Sequence, residues 1–399
     1  MSIKRGIITE RTSSAARAIS VTSTLPIALV LTSNIKAGIY CFDSPEDALE
    51  SEIVKGIKGS DGTYTGGHIK GNLDKYLNVG VDMFPCVVPT ILSIVNEDED
   101  IAITKTNFID AINNLKGAAS ATNLASKKGN AVNFKPDIIC VGDAAKDDID
   151  IQNAMATVCA AIKARTFIDL NAESNGDALS KRDQHGSDRI TPIKCSLGNW
   201  NTKTNSIDMY DSGVVMAWLR VYVDGGGKIG YSKSISNIAI PFSSVESPSN
   251  FRPGLIDDTD PLTEKQITSF ISYKGLRTWE YSTCSADPMW QDARRVRIID
   301  LASEAVIDGI FWAIDKDLST LSGAKKTLKA FMASLVGDKV MIGFDVFLDL
   351  KRTTPERIDA GEFYFVIEHQ ESPSAKLICV TFDRVNKFAG AIYKIIEEA

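Results

Sequence analysis

The chain has 399 residues, a formal net charge of −7 and 44% apolar residues. This length accommodates two or three domains with cores of their own, and the acidic balance argues against nucleic-acid binding, which favours basic domains. Neither a membrane-spanning helix nor a secretory leader is expected, because no stretch of about 18 residues is free of charge and apolar throughout, and the N-terminus lacks an apolar segment.

The N-terminal residues 1–24 are polar and have no period that would bury one face of a helix or strand. They are therefore predicted to form an arm that is ordered only against another element. Within this arm, Ile3, Ile7 and Ile8 are the apolar residues that can form a strand on such a partner.

The following section alternates apolar runs with helical patterns. Ser44 and Pro45 form a helix start, because Ser is a favoured N-cap and Pro is favoured at the first helical position. The patterns predict a buried strand at 25–32, a helix at 45–57 and a second apolar run at 84–95. A further helix is predicted at 106–115, followed by a small-residue insertion at 116–133.

From residue 136 onward, strand and helix patterns alternate regularly. Strands are predicted at 136–143, 167–172 and 190–200, with helices at 151–165, capped by Asp148 or Asp150, and at 209–226, ending at glycines. Strand–helix–strand alternation indicates a parallel or mixed sheet with helices on its faces. The predicted fold class is therefore α/β (α+β).

The third section begins near residue 262. Residues 262–275 are interpreted as a helix with Thr263 as its N-cap, and a long helix is predicted from Pro288, after the N-cap Asp287, to about Asp315. A second helix and three extended runs follow, at 322–338, 340–350, 361–370 and 375–384.

The chain ends in a short apolar tail with an acidic terminus, and Ile392, Tyr393 and Ile395 are its apolar residues. The chain is therefore predicted to consist of an N-terminal arm (1–24), an N-terminal α/β region with an insertion (25–135), a central α/β domain (136–261), a C-terminal domain (262–387) and a C-terminal arm (388–399).

Motifs that would carry covalent chemistry are weak. The Gly-rich run 225–230 has Ile229 where a phosphate-binding loop needs Ser or Thr, and no GxSxG nucleophile motif occurs around the three histidines. The acidic clusters 143–150 and 257–260 do not have the spacing of a calcium loop, so helix capping and a loop are the favoured explanations. No catalytic, metal-binding or cofactor-binding residue is predicted.

The seven cysteines are scattered along the chain without CxxC or Cys/His spacing. They are predicted to be buried free thiols, which indicates assembly in a reducing cytoplasm.

Two groups of basic residues are candidates for binding partners. Lys325, Lys326 and Lys329 form a patch on an amphipathic helix, which is either a solvated face or a dock for an acidic partner. Arg294 and Arg297 share a face of the predicted long helix and are interpreted as able to grip the carboxylates of a neighbouring subunit.

The segment YKGLRTWEYSTCSADPMW at 273–290 combines an extended aromatic run, a Thr-Cys-Ser-x-Asp-Pro turn and a helix start. It resembles the C-terminal domain of contractile tail sheath proteins of myophages and R-type bacteriocins. The blocks PDIICVGD, FIDLNA, ITPIKCSLGNW and SISNIAI follow in the order of the short phage sheaths. The resemblance covers 136–399 well and 1–135 loosely, and Asp317 replaces the Pro of the family's Asp-Lys-Pro turn.

The resemblance implies a structural subunit that polymerises helically around a rigid inner tube and contracts to drive the tube through a cell envelope, without covalent chemistry. It implies further copies of the chain, the tail tube protein, and baseplate and tail terminator proteins as partners, with no nucleic acid and no membrane insertion. It places the protein in a particle tail, with the two arms completing sheets of neighbouring subunits. In such a particle, the tube is the candidate acidic partner of Lys325, Lys326 and Lys329.

Two other functions stay open from the residues alone. A non-contractile scaffold, such as a tail terminator or a capsid-associated protein, would form closed rings. An α/β hydrolase-like enzyme would rest on the strand–helix alternation only, which is an analogy of fold.

Overall fold

The computed structural model of the protein describes residues 18–21, 26–97, 102–120, 135–316 and 318–389. Among the helices of these ranges, none has the length and apolar character needed to span a bilayer.

The strands are short to medium in length. They are β1 (Ile27–Ser33), β2 (Gly38–Phe42), β3 (Ile57–Lys58), β4 (Tyr64–Thr65), β5 (Thr90–Asn96), β6 (Ile138–Val141), β7 (Arg165–Asp169), β8 (Ile190–Ile193), β9 (Leu197–Asn201), β10 (Ser206–Tyr210), β11 (Ser244–Val245), β12 (Ser269–Ser272), β13 (Leu276–Trp279), β14 (Met341–Leu348) and β15 (Phe365–Glu371).

The α-helices alternate with the strands from β5 to β8, and the two longest helices lie in the C-terminal region. They are α1 (Pro45–Leu49), α2 (Glu52–Lys55), α3 (Leu73–Asn78), α4 (Lys105–Asn114), α5 (Ile149–Ile162), α6 (Asn175–Arg182), α7 (Ser212–Asp224), α8 (Asp260–Glu264), α9 (Ala293–Ile310), α10 (Leu318–Gly337) and α11 (Pro355–Asp359).

A six-stranded sheet forms the centre of the molecule, with the order β2-β5-β1-β6-β7-β8. Its strands are parallel except β2, which runs antiparallel to β5 at one edge. Strands β1 and β6 are buried along almost their whole length, as expected for a parallel sheet that is covered on both faces. The predicted α/β class is confirmed.

The predicted segments 25–135 and 136–261 share this sheet. Strand β1 comes from the first segment and pairs with β6 of the second, with Ile27 opposite Ile138. The core of the sheet is therefore common to both segments.

Helices cover the two faces of the sheet. On one face, α7 packs with β1, β6 and β7, and its Trp218 is fully buried, donating an Nε1–H hydrogen bond of 2.9 Å to the carbonyl of Tyr76. On the other face, α4 and α5 pack against each other and the sheet. Two predicted helix caps are confirmed, because Ser44 caps α1 and Asp148 caps α5.

A separate apolar core holds the C-terminal region together. It lies between α9, α10 and the antiparallel hairpin β14–β15, and α10 contributes Phe331, Met332 and Leu335 to it. From the predicted N-terminal arm, Ile19 and Val21 pack against this core, and Ile19 lies over Gly309 of α9.

The predicted helix at 262–275 is wrong. The helix α8 ends at Glu264, Thr263 lies inside it rather than at its N-cap, and residues 269–272 form β12, which pairs with β13. The chain changes direction at Gln266, where φ is +58°, and Thr268 then pairs with Ile193 at the edge of the central sheet. Sheet pairing and burial outweigh the helical pattern here.

The predicted long helix is interrupted near its start. Asp287 accepts a hydrogen bond from the Met289 amide as predicted, but the helical turn Pro288–Trp290 is a short 3₁₀ segment. The α-helix α9 begins at Ala293, capped by Asp292. The break is held by the loop before it, because the amide of Thr283 donates to the carbonyl of Gln291.

Candidate functional site

A buried charge network joins α9 to the central sheet. The guanidinium of Arg297 in α9 donates to the carboxylates of Asp137, which precedes β6, and of Asp224 in α7. Asp224 also accepts from Arg220, one helical turn away on α7, at 2.6 Å. These carboxylates hold the pKa of Arg297 above its ordinary value although burial acts in the opposite direction.

A second group of charges reinforces this junction. Asp300, one turn further along α9, accepts from Arg165 of β7 at 2.9 Å and from Arg189 at 2.6 Å. Arg165 also donates to the carbonyl of Ala293 at 3.1 Å, which fixes the first turn of α9. The C-terminal region is thus attached to the sheet by side chains of α7 and α9 and by side chains at the starts of β6, β7 and β8.

The interpretation of Arg294 and Arg297 as residues that grip a neighbouring subunit is wrong. Arg297 is 1% exposed, and Arg294, which is 6% exposed, donates to the carbonyls of Ser232 and Ser372. The shared helical face was correct, but that face is covered by the chain itself.

The hairpin β14–β15 offers open edges. It is a two-stranded sheet in the ranges that the structure describes, and its inner face lies on α10 through Met341 and Val346. The outer edge of each strand therefore carries backbone groups without a strand partner in these ranges. Such an edge is a template for an added strand.

The predicted third strand at 375–384 is not formed in the chain. These residues form no helix or strand, and they pair with no strand among the residues described. Their apolar side chains lie in solvent, with Leu377 82%, Ile378 78% and Phe382 95% exposed. An apolar run favours a strand, but a strand needs an edge to pair with, and none of the described strands pairs with this segment.

The candidate interlocking residues of the two arms, Ile3, Ile7, Ile8, Ile392, Tyr393 and Ile395, lie outside the described residues. The Lys325 patch lies on α10. Lys326 and Lys329 are exposed and Lys325 is half-buried, while Phe331 and Leu335 on the opposite face of the helix enter the core. The patch is accessible to a partner.

One Ser–His–Asp arrangement was not predicted from the sequence, because its members are far apart in the chain. Ser33 Oγ lies 2.8 Å from Nδ1 of His68, and Nε2 of His68 lies 3.2 Å from Asp74. Ser33 is fully buried, and its Oγ also accepts from the amide of Ile35 at 3.2 Å. A hydroxyl closed off in this way cannot attack a substrate, so the arrangement ties β1 to α3.

The acidic cluster at 143–150 lies at the carboxyl ends of β6 and β7, near Asp169 and Asp211. Burial, reinforced by the charge of Asp169, raises the pKa of Asp211 well above its ordinary value. Asp211 caps α7 through the amide of Val214 at 2.9 Å, and Asp169 accepts from Ser196 at 2.6 Å. Protein donors thus satisfy these carboxylates. The described ranges hold no group of three or more His, Cys, Asp and Glu side chains able to bind a metal ion.

The other candidate motifs have structural roles. Gly225 ends α7, and the carbonyl of Gly230 accepts from Arg220 at 2.9 Å, so the Gly-rich run is a helix end and a turn. Asp257 accepts from the amide of Thr259 within the second acidic cluster, which is a loop that leads into the first residue of α8, Asp260.

The cysteines are unpaired, but their burial is not uniform. Cys284 and four others are buried, whereas Cys86 is half-buried and Cys379 is exposed. Burial raises the pKa of Cys284 to about 12. The prediction that the thiols are buried is therefore wrong for Cys379, which lies in the exposed segment 375–384.

The chain is similar in sequence to two proteins of tailed particles. It is 25% identical over 232 residues to a protein of Pseudomonas aeruginosa (strain UCBPP-PA14) assigned as a prophage major tail sheath protein, and the match covers 57% of this chain and 59% of that protein. It is 21% identical over 285 residues to the tail sheath protein of Escherichia phage P2, covering 70% of each. No protein-family profile matches the chain.

The fold is similar to that of a solved sheath. The cryo-EM structure of the helical sheath of the anti-feeding prophage in its contracted state matches with a TM-score of 0.65 at 14% identity, covering 96% of this chain and 100% of that one. In sequence and in fold, this chain therefore resembles contractile tail sheath proteins, and the resemblance indicated by the sequence is confirmed.

Proposed function

We propose that this chain is the structural subunit of a contractile tail sheath, which polymerises helically around an inner tube and contracts to drive the tube through the target cell envelope. The observation that carries the proposal is an exposed apolar segment, 375–384, beside the open-edged hairpin β14–β15. The similar sequences and the similar solved structure, which is a contracted helical sheath, support it.

In this proposal, an extended segment of one copy adds a strand to the hairpin of the next copy. An added strand of about five residues makes about five hydrogen bonds, which at roughly 1 kcal/mol each stabilise the junction by about 5 kcal/mol. The contact joins different surfaces of the two copies, so it is heterologous and generates an open helix where the rotation does not close.

The two arms act in the same way, with Ile3, Ile7 and Ile8 at one end and Ile392, Tyr393 and Ile395 at the other as interlocking residues. Lys325, Lys326 and Lys329 face the tail tube protein, and baseplate and tail terminator proteins contact the ends of the polymer. The subunit works in a particle tail after assembly in the bacterial cytoplasm, and its work is mechanical, without covalent catalysis.

Negative-stain microscopy of the purified full chain tests the proposal. Long tubular polymers are the expected result, and replacing Leu377 and Phe382 by Ser should abolish them, because these side chains leave water only in the polymer. Ile69→Ser is the matched control, since Ile69 is 88% exposed on a different part of the surface. Monomers under every condition, or closed rings in place of tubes, would overturn the proposal.

The arms and the tube contact have separate tests. Deleting residues 1–17, which keeps Ile19 on the C-terminal core, or residues 388–399 should abolish polymers while the circular dichroism spectrum of the subunit stays unchanged; intact polymers would remove the arm assignment. Replacing Lys325, Lys326 and Lys329 by Glu should weaken co-sedimentation with the tube protein. The control variant replaces three other exposed lysines, Lys36, Lys58 and Lys70, by Glu. Equal binding of the tube protein by both variants would reject the tube-facing assignment.

A further inference from the structure

The exposed C-terminal segment leaves the body of the protein through a short strap, residues 372–376. Its first residue, Ser372, is held firmly. The Ser372 amide donates to the carbonyl of Val340 at 3.0 Å, its hydroxyl donates to the carbonyl of Lys339 at 2.6 Å, and its own carbonyl accepts from the guanidinium of Arg294. Ser372 is therefore a fixed point at the end of the hairpin.

The strap has a second attachment four residues later. Nζ of Lys376 donates to Oε1 of Glu280 at 2.8 Å, and the hydroxyl of Ser282 donates to the same oxygen. The two partners differ in exposure, because the Glu280 side chain is 7% exposed and that of Lys376 is 59% exposed. The Glu280 carboxylate is thus buried in the body of the protein, whereas the Lys376 side chain lies largely in solvent.

Between the two attachments the strap does not pack tightly on the body. A cavity of about 410 Å³ lies beneath residues 374–376, lined by Ser236, Trp279 and Glu280 among others. The strap therefore crosses a gap and is fastened at its two ends, which leaves the Lys376 contact free to open without exposing a packed apolar core.

The backbone at Glu280 is shaped for this contact. Its φ of +72° lies in the left-handed region, which is unfavourable for a residue with a Cβ and persists only where the surroundings impose it. The amide of Glu280 donates to the hydroxyl of Ser236 at 3.0 Å, directly after β13 ends at Trp279. The strained turn places the carboxylate at the edge of the cavity, where Lys376 reaches it.

Past Lys376, the structure shows no hydrogen bond or ion pair between residues 377–389 and the rest of the described chain. The amide of Ala389 donates to the carbonyl of Asn386, and Lys387 lies over the ring of Phe388, so these contacts are local. Lys376 is the last residue of this stretch that fixes the direction of the segment.

We propose that Lys376 and Glu280 form a releasable latch, with Ser372 as its pivot, that sets the direction in which residues 377–389 leave the body. Closed, the latch aims the segment along one path; open, it lets the segment swing about the pivot while the body keeps its fold. Only the purpose of the latch rests on the proposed function, in which the segment that it directs adds to the sheet of a neighbouring copy.

The isolated full-length subunit provides the test, through a nitroxide attached to Cys379, three residues past the latch. Cys379 is the exposed thiol, and a Cys86→Ser background removes the half-buried one. Lys376→Met and Glu280→Gln should each raise the mobility of the nitroxide, with the rotational correlation time falling by about twofold. Lys376→Arg should keep the spectrum of the parent.

Lys387→Met is the matched control, because it removes a lysine from the same segment that has no contact with the body. Spectra of Lys376→Met and Glu280→Gln that equal those of the parent and of Lys387→Met would overturn the latch. Glu280→Gln keeps the shape of the side chain and decides the question if Lys376→Met alters the circular dichroism spectrum. Since the subunit is measured alone, a failure to form tubes would refute the sheath function and leave the latch result standing.

Discussion

The charge network between α7, α9 and the start of β6 gives a strong prediction for stability. Replacing Arg297 by Met keeps the length of the side chain and removes the guanidinium. Asp224 keeps its partner Arg220 at 2.6 Å, whereas Asp137, whose side chain is 7% exposed, loses the guanidinium that pairs with it. One buried carboxylate is then left without a cation.

Removing one partner of a buried ion pair costs about 3 to 5 kcal/mol, because the remaining charge stays buried. Since only one of the two carboxylates is left unpaired, we expect the lower part of this range, about 3 kcal/mol. With a urea m-value of about 3 kcal/mol/M, at the upper end of the usual range, the unfolding midpoint should fall by about 1 M.

Urea titration followed by tryptophan fluorescence measures this shift. Arg352→Met is the control, because Arg352 is exposed and its guanidinium carbon lies 4.4 Å from the ring centroid of Tyr364 at the surface. The control should change the free energy of unfolding by no more than about 0.5 kcal/mol. Equal midpoints for the two variants would refute the idea that the buried network holds α9 to the sheet.

Three further predictions follow from single positions. Asp211→Asn should raise the free energy of unfolding at pH 7, because burial and the neighbouring Asp169 carboxylate raise the pKa of Asp211 and its ionisation therefore costs stability above a pH of about 4. The gain should vanish as the pH falls to about 4. A gain that does not depend on pH would contradict this reasoning. Gly80→Ala should lower the free energy of unfolding by about 1 to 3 kcal/mol, because a Cβ there would lie 2.7 Å from the ring of Trp218, whereas Gly117→Ala, which meets nothing within 4 Å, should not. A maleimide should label the exposed Cys379 rapidly and the half-buried Cys86 more slowly in the native protein, and the five buried thiols only after unfolding; fast labelling of any of these five would argue against its buried position.

The features that depend on neighbours in the sequence were predictable. Ser44 and Asp148 cap helices as expected, since an N-cap needs only an amide two or three residues away. The alternation of strands and helices after residue 136 likewise produced the parallel sheet, because each buried strand is bounded by its own turn signals.

The features that depend on distant partners were not predictable. Arg297 meets Asp137 and Asp224, which lie 160 and 73 residues away in the chain, and a helical face does not reveal what covers it. For the same reason, the apolar run 375–384 could be recognised as strand-forming. That none of the described strands pairs with it could not be predicted. Both errors concern what lies opposite a side chain rather than its local conformation.

Ionic strength should act unequally on the charges of this protein. Dissolved salt screens exposed charges over a few ångströms at about 1 M, but it reaches buried pairs far less. The Arg297 network is closed to solvent and will be largely insensitive to salt, whereas the Lys376 ammonium is 59% exposed and will be screened. With the Lys376–Glu280 contact as the proposed latch, ionic strength will therefore tune how freely residues 377–389 swing, whereas the buried junction between α9 and the sheet will respond little.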